Sequence, residues 1–74
     1  MQNLVTIITF GSLSETYIPQ SILESYEIPS VVKDGIMGQL YVANAFGGVK
    51  LQILEGDYER AKKILEEAGY TIDA

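Results

Sequence analysis

The sequence predicts a single α+β domain with the element order β-α-β-β-α-β. Segments at residues 4–10 and 48–54 are rich in the β-branched and aromatic residues that favour strands. Segments at 12–27 and 57–68 repeat apolar residues at the i, i+3, i+4 spacing of a helix with one buried face. A length of 74 residues suits one compact domain, so we assign residues 1–74 to a single unit.

The first strand is apolar on both faces if its side chains alternate strictly. Leu4, Ile8 and Phe10 then share one face, while Val5 and Ile7 share the other. Apolar residues on both sides are typical of a central strand that faces a layer on each side. Gly11 ends this strand.

The first helix has an N-terminal capping motif and one proline that disfavours a regular helix. Ser12 and Glu15 have the spacing of a capping box, in which each side chain satisfies a free backbone N–H. Pro19 would lie about two turns inside, so we expect either a kink or a start nearer Ser14. Pro29 disfavours helical geometry at the preceding residue, which places the end near Glu27. The predicted buried face consists of Pro19, Ile22, Leu23 and Tyr26.

The second half of the chain supplies two or three strands and a second helix. Residues 30–33 predict a short strand, and residues 34–46 a loop with an extended piece at 40–42. Residues 48–54 alternate clearly, with apolar side chains on one face. Asp57 is placed to cap the second helix and Gly69 to end it in a left-handed conformation. Residues 70–72 can add a last short strand.

This order is the split βαβ arrangement of the ferredoxin-like fold. We therefore expect an antiparallel four-stranded sheet with the first and third strands side by side in its centre. Two helices would cover one face of this βαββαβ sandwich and leave the other open.

The composition excludes several chemistries. The chain has no histidine and no cysteine, so it lacks the commonest general base, a disulfide framework and thiolate metal ligands. We expect no catalytic residues, no bound metal and no cofactor. A net charge of −5 disfavours nucleic acid, and the N-terminal apolar run is far too short to cross a membrane. These features predict a cytoplasmic protein that is not an enzyme.

Residues 44–53, with the sequence NAFGGVKLQI, carry a specific resemblance that extends over nearly the whole chain. Phe10-Gly11-Ser12, Ile28-Pro29 and the Ile64-Leu65-Glu66 run agree with it. The chain resembles a small prokaryotic domain family catalogued as "putative signal-transducing proteins", which looks like a reduced relative of the PII (GlnB-like) fold. It departs from the family pattern at Glu27, where glycine is common, and at Pro19, where a small residue is usual.

Asn44, Gly47 and Gly48 form the most distinctive polar constellation. Consecutive glycines let a backbone approach a ligand closely, and asparagine offers a donor and an acceptor. The same residues also suit a tight turn or bulge that enters a strand, and turn chemistry explains all of them without a ligand.

The connecting segment is unusually apolar, since connections are ordinarily polar. Its apolar side chains either fold back over the sheet edge or form a docking patch. The residues we expect to contact a partner or ligand are Asn44, Phe46, Gly47, Gly48, Met37, Leu40 and Tyr41.

Two functional hypotheses follow. The first is a non-catalytic regulatory or protein-interaction module that self-associates, as a homodimer or trimer, through the open sheet face, an edge strand or residues 34–46. In PII-like proteins that segment occupies the place of the partner-engaging loop. The second is a sensor of a small ligand, a nucleotide or a metabolite, near Asn44, Gly47 and Gly48.

Overall fold

The computed structural model of this chain describes residues 3–34 and 48–73. The described elements are β1 (Leu4–Phe10), α1 (Tyr17–Ser25), β2 (Ser30–Asp34), β3 (Val49–Leu54) and α2 (Tyr58–Glu67). A 3-10 turn precedes each helix, at Leu13–Thr16 and at Glu55–Asp57. The α+β class is confirmed, and three strands and both helices lie where the sequence predicted them. The predicted loop lies outside the described residues, apart from Asp34 at the end of β2.

The three described strands form one antiparallel sheet in the order β1-β3-β2. The prediction that β1 and β3 are adjacent strands is confirmed. The described sheet lacks the predicted fourth strand, because residues 70–73 form no strand. Among the described residues, one backbone bond joins this segment to the sheet, from Asp73 N–H to the carbonyl oxygen of Ile7 at 2.9 Å. A single bond does not make a ladder, so β3, not β1, is the central strand.

A β-bulge interrupts the pairing of β1 with β3. Thr6 pairs with Gln52 and Ile8 pairs with Leu51, which leaves Ile7 as an extra residue in β1. An extra residue resets the alternation of side chains along the rest of the strand. The prediction that β1 is apolar on both faces is therefore wrong.

The bulge places the apolar residues of β1 on the side of the helices. Val5, Ile8 and Phe10 lie opposite the buried residues of β3, and Ile7 is fully buried as well. Leu4, Thr6 and Thr9 lie on the open face. The buried apolar core consists of Ile7, Ile8, Leu23, Ile28, Val49, Leu51, Ile53, Ala61 and Leu65. Because both helices contribute to one cluster, both pack on the same face of the sheet.

Helix α1 avoids the expected proline conflict by starting late. The α-helix begins at Tyr17, so Pro19 lies in its first turn, where backbone N–H groups have no helical partner. The predicted capping box does not form. The Ser12 hydroxyl donates to the Glu15 carboxylate at 3.2 Å, and no side-chain hydrogen bond caps the backbone of this turn. Tyr26 is also exposed and not part of the buried face, because α1 ends at Ser25.

Both helices end in the same hydrogen-bonded turn with a left-handed residue. After α2, Gly69 has φ of 100°, as the sequence predicted, and Tyr70 N–H donates to Leu65 C=O at 3.0 Å. After α1, Ile28 N–H donates to Leu23 C=O at 2.9 Å, and the left-handed residue is Glu27 with φ of 62°. This is the Schellman arrangement, in which glycine is favoured. The chain thus carries a glutamate where the geometry favours glycine.

We expect the Glu27→Gly variant to be more stable than the parent protein by about 1 kcal/mol, because left-handed geometry disfavours residues with a Cβ atom. Urea denaturation followed by far-UV circular dichroism measures the change. Glu24→Gly, inside α1, is the matched control and should lose about 1 kcal/mol. A loss of stability in Glu27→Gly would contradict this account of the turn.

Candidate functional site

Most of the predicted contact residues lie outside the described part of the chain. Asn44, Phe46, Gly47, Met37, Leu40 and Tyr41 all belong to residues 35–47. Their assignment as contacts to a partner or ligand stays a prediction. Gly48 lies within the described part of the chain.

Gly48 lies against the backbone of β1. Its φ is 56°, and a Cβ atom at this position would come within 2.6 Å of the carbonyl oxygen of Phe10. The backbone conformation and the close approach each require glycine. The turn explanation therefore accounts for this glycine without a ligand.

The open face of the sheet carries apolar, polar and charged side chains. Leu4, which is 50% exposed, lies opposite Leu54, and the side-chain amide of Gln52 donates to the Thr6 hydroxyl at 2.9 Å. At the other end, Lys33 of β2 lies directly opposite Lys50 of β3. Like charges at directly opposed positions repel. This end of the open face carries two lysines, beside the Asp73 carboxylate that accepts from Thr9, the residue opposite Lys50.

Three apolar side chains are exposed on the first turn of α1 and the turn before it. Leu13, Tyr17 and Ile18 are 44%, 58% and 65% exposed. Residues three or four apart on a helix are neighbours, and residues 16–23 contain no charged side chain. Helix α2 is different, because six of its ten residues are charged. The exposed apolar side chains of α1 are confined to its first turn and the turn before it. The exposed residues on the rest of the helix are polar: Ser21, Glu24 and Ser25.

A groove lies between α1 and the start of β2. It has a volume of about 370 Å³ and is lined by Gln20, Glu24, Ile28, Pro29 and Ser30. An adjoining hollow of about 250 Å³ adds Glu27 to its wall. The side-chain amide of Gln20 donates to the Ser30 hydroxyl at 3.3 Å, which links helix and strand beside the groove. Both glutamates are exposed, and no ion pair involves either of them within the described residues.

The described residues contain neither a cluster of metal ligands nor an anion site at the turn before α1. No group of three or more acidic side chains is placed to hold a metal ion in these parts of the chain. The turn before α1 does not suit an anion, because the carboxylate of Glu15 bonds to Ser12 there. No described helix is long and apolar enough to cross a membrane.

Sequence reasoning missed both the outer face of α1 and the groove. No charge pattern marks the first, since residues 16–23 are free of charge but so are the longer runs 1–14 and 35–49. The groove has no such signal either, because its shape depends on the turn that joins α1 to β2, although its lining lies within residues 20–30.

Comparison with known proteins gives one match. Residues 4–69 match the family model described as "Putative prokaryotic signal transducing protein", which covers nearly the whole chain. No curated protein and no solved structure matches.

Proposed function

We propose, from the premise that the chain belongs to this prokaryotic signal-transducing family, that it is a non-catalytic regulatory module whose copies associate through α1. The family description supports a regulatory role. Action in the cytoplasm is part of the proposal, and the lack of the disulfides that small secreted domains commonly use agrees with it. A chain without histidine or cysteine is poorly equipped for acid–base or thiol chemistry.

The observation that carries this proposal is the exposed apolar surface of Leu13, Tyr17 and Ile18. Exposed apolar clusters of this kind mark contact with other macromolecules, whereas single exposed residues do not. Tyrosine in particular contributes strongly to protein interfaces. Association through this patch would also stabilise the domain, because a domain of this size has only a small apolar core.

Charge favours a second copy of the chain as the occupant of this surface. Each copy carries a net charge of −5, so most pairings of two surfaces bring acidic groups together. Residues 16–23 are free of charge, with Glu15 and Glu24 at the two ends of the run. A two-fold contact between two α1 faces uses the same patch twice and adds little repulsion.

The open sheet face is less suited to self-association. Two such faces stacked on each other would bring together the lysine pairs Lys33 and Lys50 of both copies. The bulge also removes the second apolar face of β1, on which the sheet-face hypothesis depended. The hypothesis of self-association therefore moves from the sheet to α1.

For the fold, we propose the ferredoxin-like topology with residues 70–73 in the position of the fourth strand. The backbone bond from Asp73 N–H to the carbonyl oxygen of Ile7 supports this proposal. The Thr9 hydroxyl also donates to the Asp73 carboxylate at 2.8 Å. A strand added at the free edge of β1 would give the order 4-1-3-2 of the PII-like fold.

The alternative, a sensor of a nucleotide or metabolite near Asn44, Gly47 and Gly48, has less support. Its one described residue, Gly48, is explained by its backbone geometry. Stabilisation of the protein by a small ligand in a thermal-shift screen would be the result that favours it.

We expect the Ile18→Lys variant to associate at least about tenfold more weakly than the parent protein, because a buried interface residue becomes charged. Sedimentation equilibrium over a range of micromolar concentrations measures the dissociation constant. Lysine lowers the net negative charge, so general repulsion between copies cannot explain a loss.

Val31→Lys is the matched control, because Val31 is an exposed apolar residue on the open face of the sheet. It should associate like the parent protein. A parent protein that stays monomeric at high micromolar concentration would contradict the proposal. Loss of association in Val31→Lys alone would assign the contact to the sheet.

A further inference from the structure

We propose that the groove between α1 and β2 binds an extended segment of a partner protein that carries lysine or arginine side chains. The segment adds as a strand to the outer edge of β2, and its basic side chains reach Glu24 and Glu27. This inference rests on the proposed role as an interaction module, but it uses a different surface from the association through α1.

The outer edge of β2 supplies the backbone partners. Within the described residues, β2 is the last strand of the sheet and pairs only with β3. Every second residue of such an edge strand directs its N–H and C=O groups away from the sheet. An extended chain can pair with these groups, which is the strand-addition mode of peptide recognition.

The groove gives this edge a wall on the side of the helices. Gln20 and Glu24 are one turn apart on α1, and Ile28, Pro29 and Ser30 complete the lining. A strand placed beside β2 would direct alternate side chains towards this wall, since side chains alternate along a strand. The volume of about 370 Å³ is within the range of sites that hold small ligands or a few side chains.

Charge selects the chemistry of the segment. Glu24 and Glu27 are exposed carboxylates three positions apart, and the net charge of the protein adds to their negative potential. The nearest described cation on this turn is Arg60, whose guanidinium donates to the carbonyl oxygen of Tyr26 at 3.3 Å. The carboxylates have no ion-pair partner within the described residues. Lysine or arginine on the added strand would supply it.

The test uses a fluorescein-labelled octapeptide that alternates lysine with valine, and fluorescence anisotropy as the readout. A peptide with glutamate in place of lysine is its control. The protein is the Ile18→Lys variant, so that self-association does not contribute. We compare this protein with a version that also carries Glu24→Gln and Glu27→Gln. A version with Glu66→Gln and Glu67→Gln makes the same charge change on α2.

We expect the glutamine pair in the groove to weaken binding of the lysine peptide by about tenfold or more, and the pair on α2 by less than about twofold. Amide resonances of Ser30–Asp34 should shift on binding, because the added strand pairs with their edge. The glutamate peptide should not bind.

Equal losses in the two glutamine variants would overturn the proposal, since they would indicate general attraction to an acidic protein. Binding without shifts in β2, tight binding of the glutamate peptide, or no binding at millimolar peptide would overturn it as well. Failure of this proposal and failure of the proposed self-association can be told apart. Self-association is measured on the parent protein, and the peptide is tested on a variant in which the α1 contact is disrupted.

Discussion

The Gly48→Ala variant should lose about 3 kcal/mol of its free energy of unfolding. Two costs add at this position. A residue with a Cβ atom is strained at a φ of 56°, by about 1 kcal/mol or more. The new methyl group would also lie 2.6 Å from the Phe10 carbonyl oxygen, and relieving such overpacking costs about 1–3 kcal/mol. A domain of 74 residues has a total stability of only about 4–11 kcal/mol.

Gly69→Ala separates the two costs. Its φ is 100°, but no atom lies within 4 Å of the position of a new Cβ atom, so only the backbone strain remains. We expect a loss of about 1–2 kcal/mol, clearly smaller than for Gly48→Ala. Urea denaturation of the parent and both variants measures the difference. Equal losses would mean that the close approach of residue 48 to β1 does not contribute to the loss of stability in Gly48→Ala.

The elements of this fold could be predicted because their signals are local. The β-branched residues of β1 and the alternation in β3 act within a few positions. The ends of the helices could be predicted for the same reason, since Gly69 and Pro29 restrict the backbone at single residues. The order of the strands followed from these elements and from one common topology.

The bulge in β1 was missed because the prediction assumed uninterrupted alternation. The sequence LVTIITF did contain a hint: Thr6 and Thr9 are three apart and have two isoleucines between them. Strict alternation puts these threonines on opposite faces, whereas one extra residue puts both on the open face. β1 contains no glycine that would have marked the position.

The candidate surfaces were harder to predict than the fold. The helical spacing in α1 predicts its inner face only, and the exposed apolar side chains of Tyr17 and Ile18 lie outside that pattern. The shape of the groove depends on the backbone turn between α1 and β2, which the sequence pattern does not predict. The position of residues 70–73 depends on a contact between Asp73 and Ile7, which are far apart in the sequence.

The bulge itself predicts that Ile7→Thr and Ile8→Thr are both destabilising by about 3 kcal/mol. Isoleucine and threonine are both β-branched, so the substitution preserves strand propensity. Ile7 and Ile8 are 0% and 5% exposed, so each variant loses apolar contacts and buries a hydroxyl group. Strict alternation predicts a different outcome: one of two consecutive residues would lie on the open face and would tolerate threonine.

Leu4→Thr is the control on the open face. Leu4 is 50% exposed, and we expect this variant to lose less than about 1 kcal/mol in the same denaturation measurement. A loss in Ile7→Thr no greater than in Leu4→Thr would place Ile7 on the open face and remove the bulge. It would also restore a second apolar face to β1, and with it the sheet as a surface for self-association. The free energy of unfolding of these variants therefore tests whether the open face of β1 is apolar, which is the condition for self-association through the sheet.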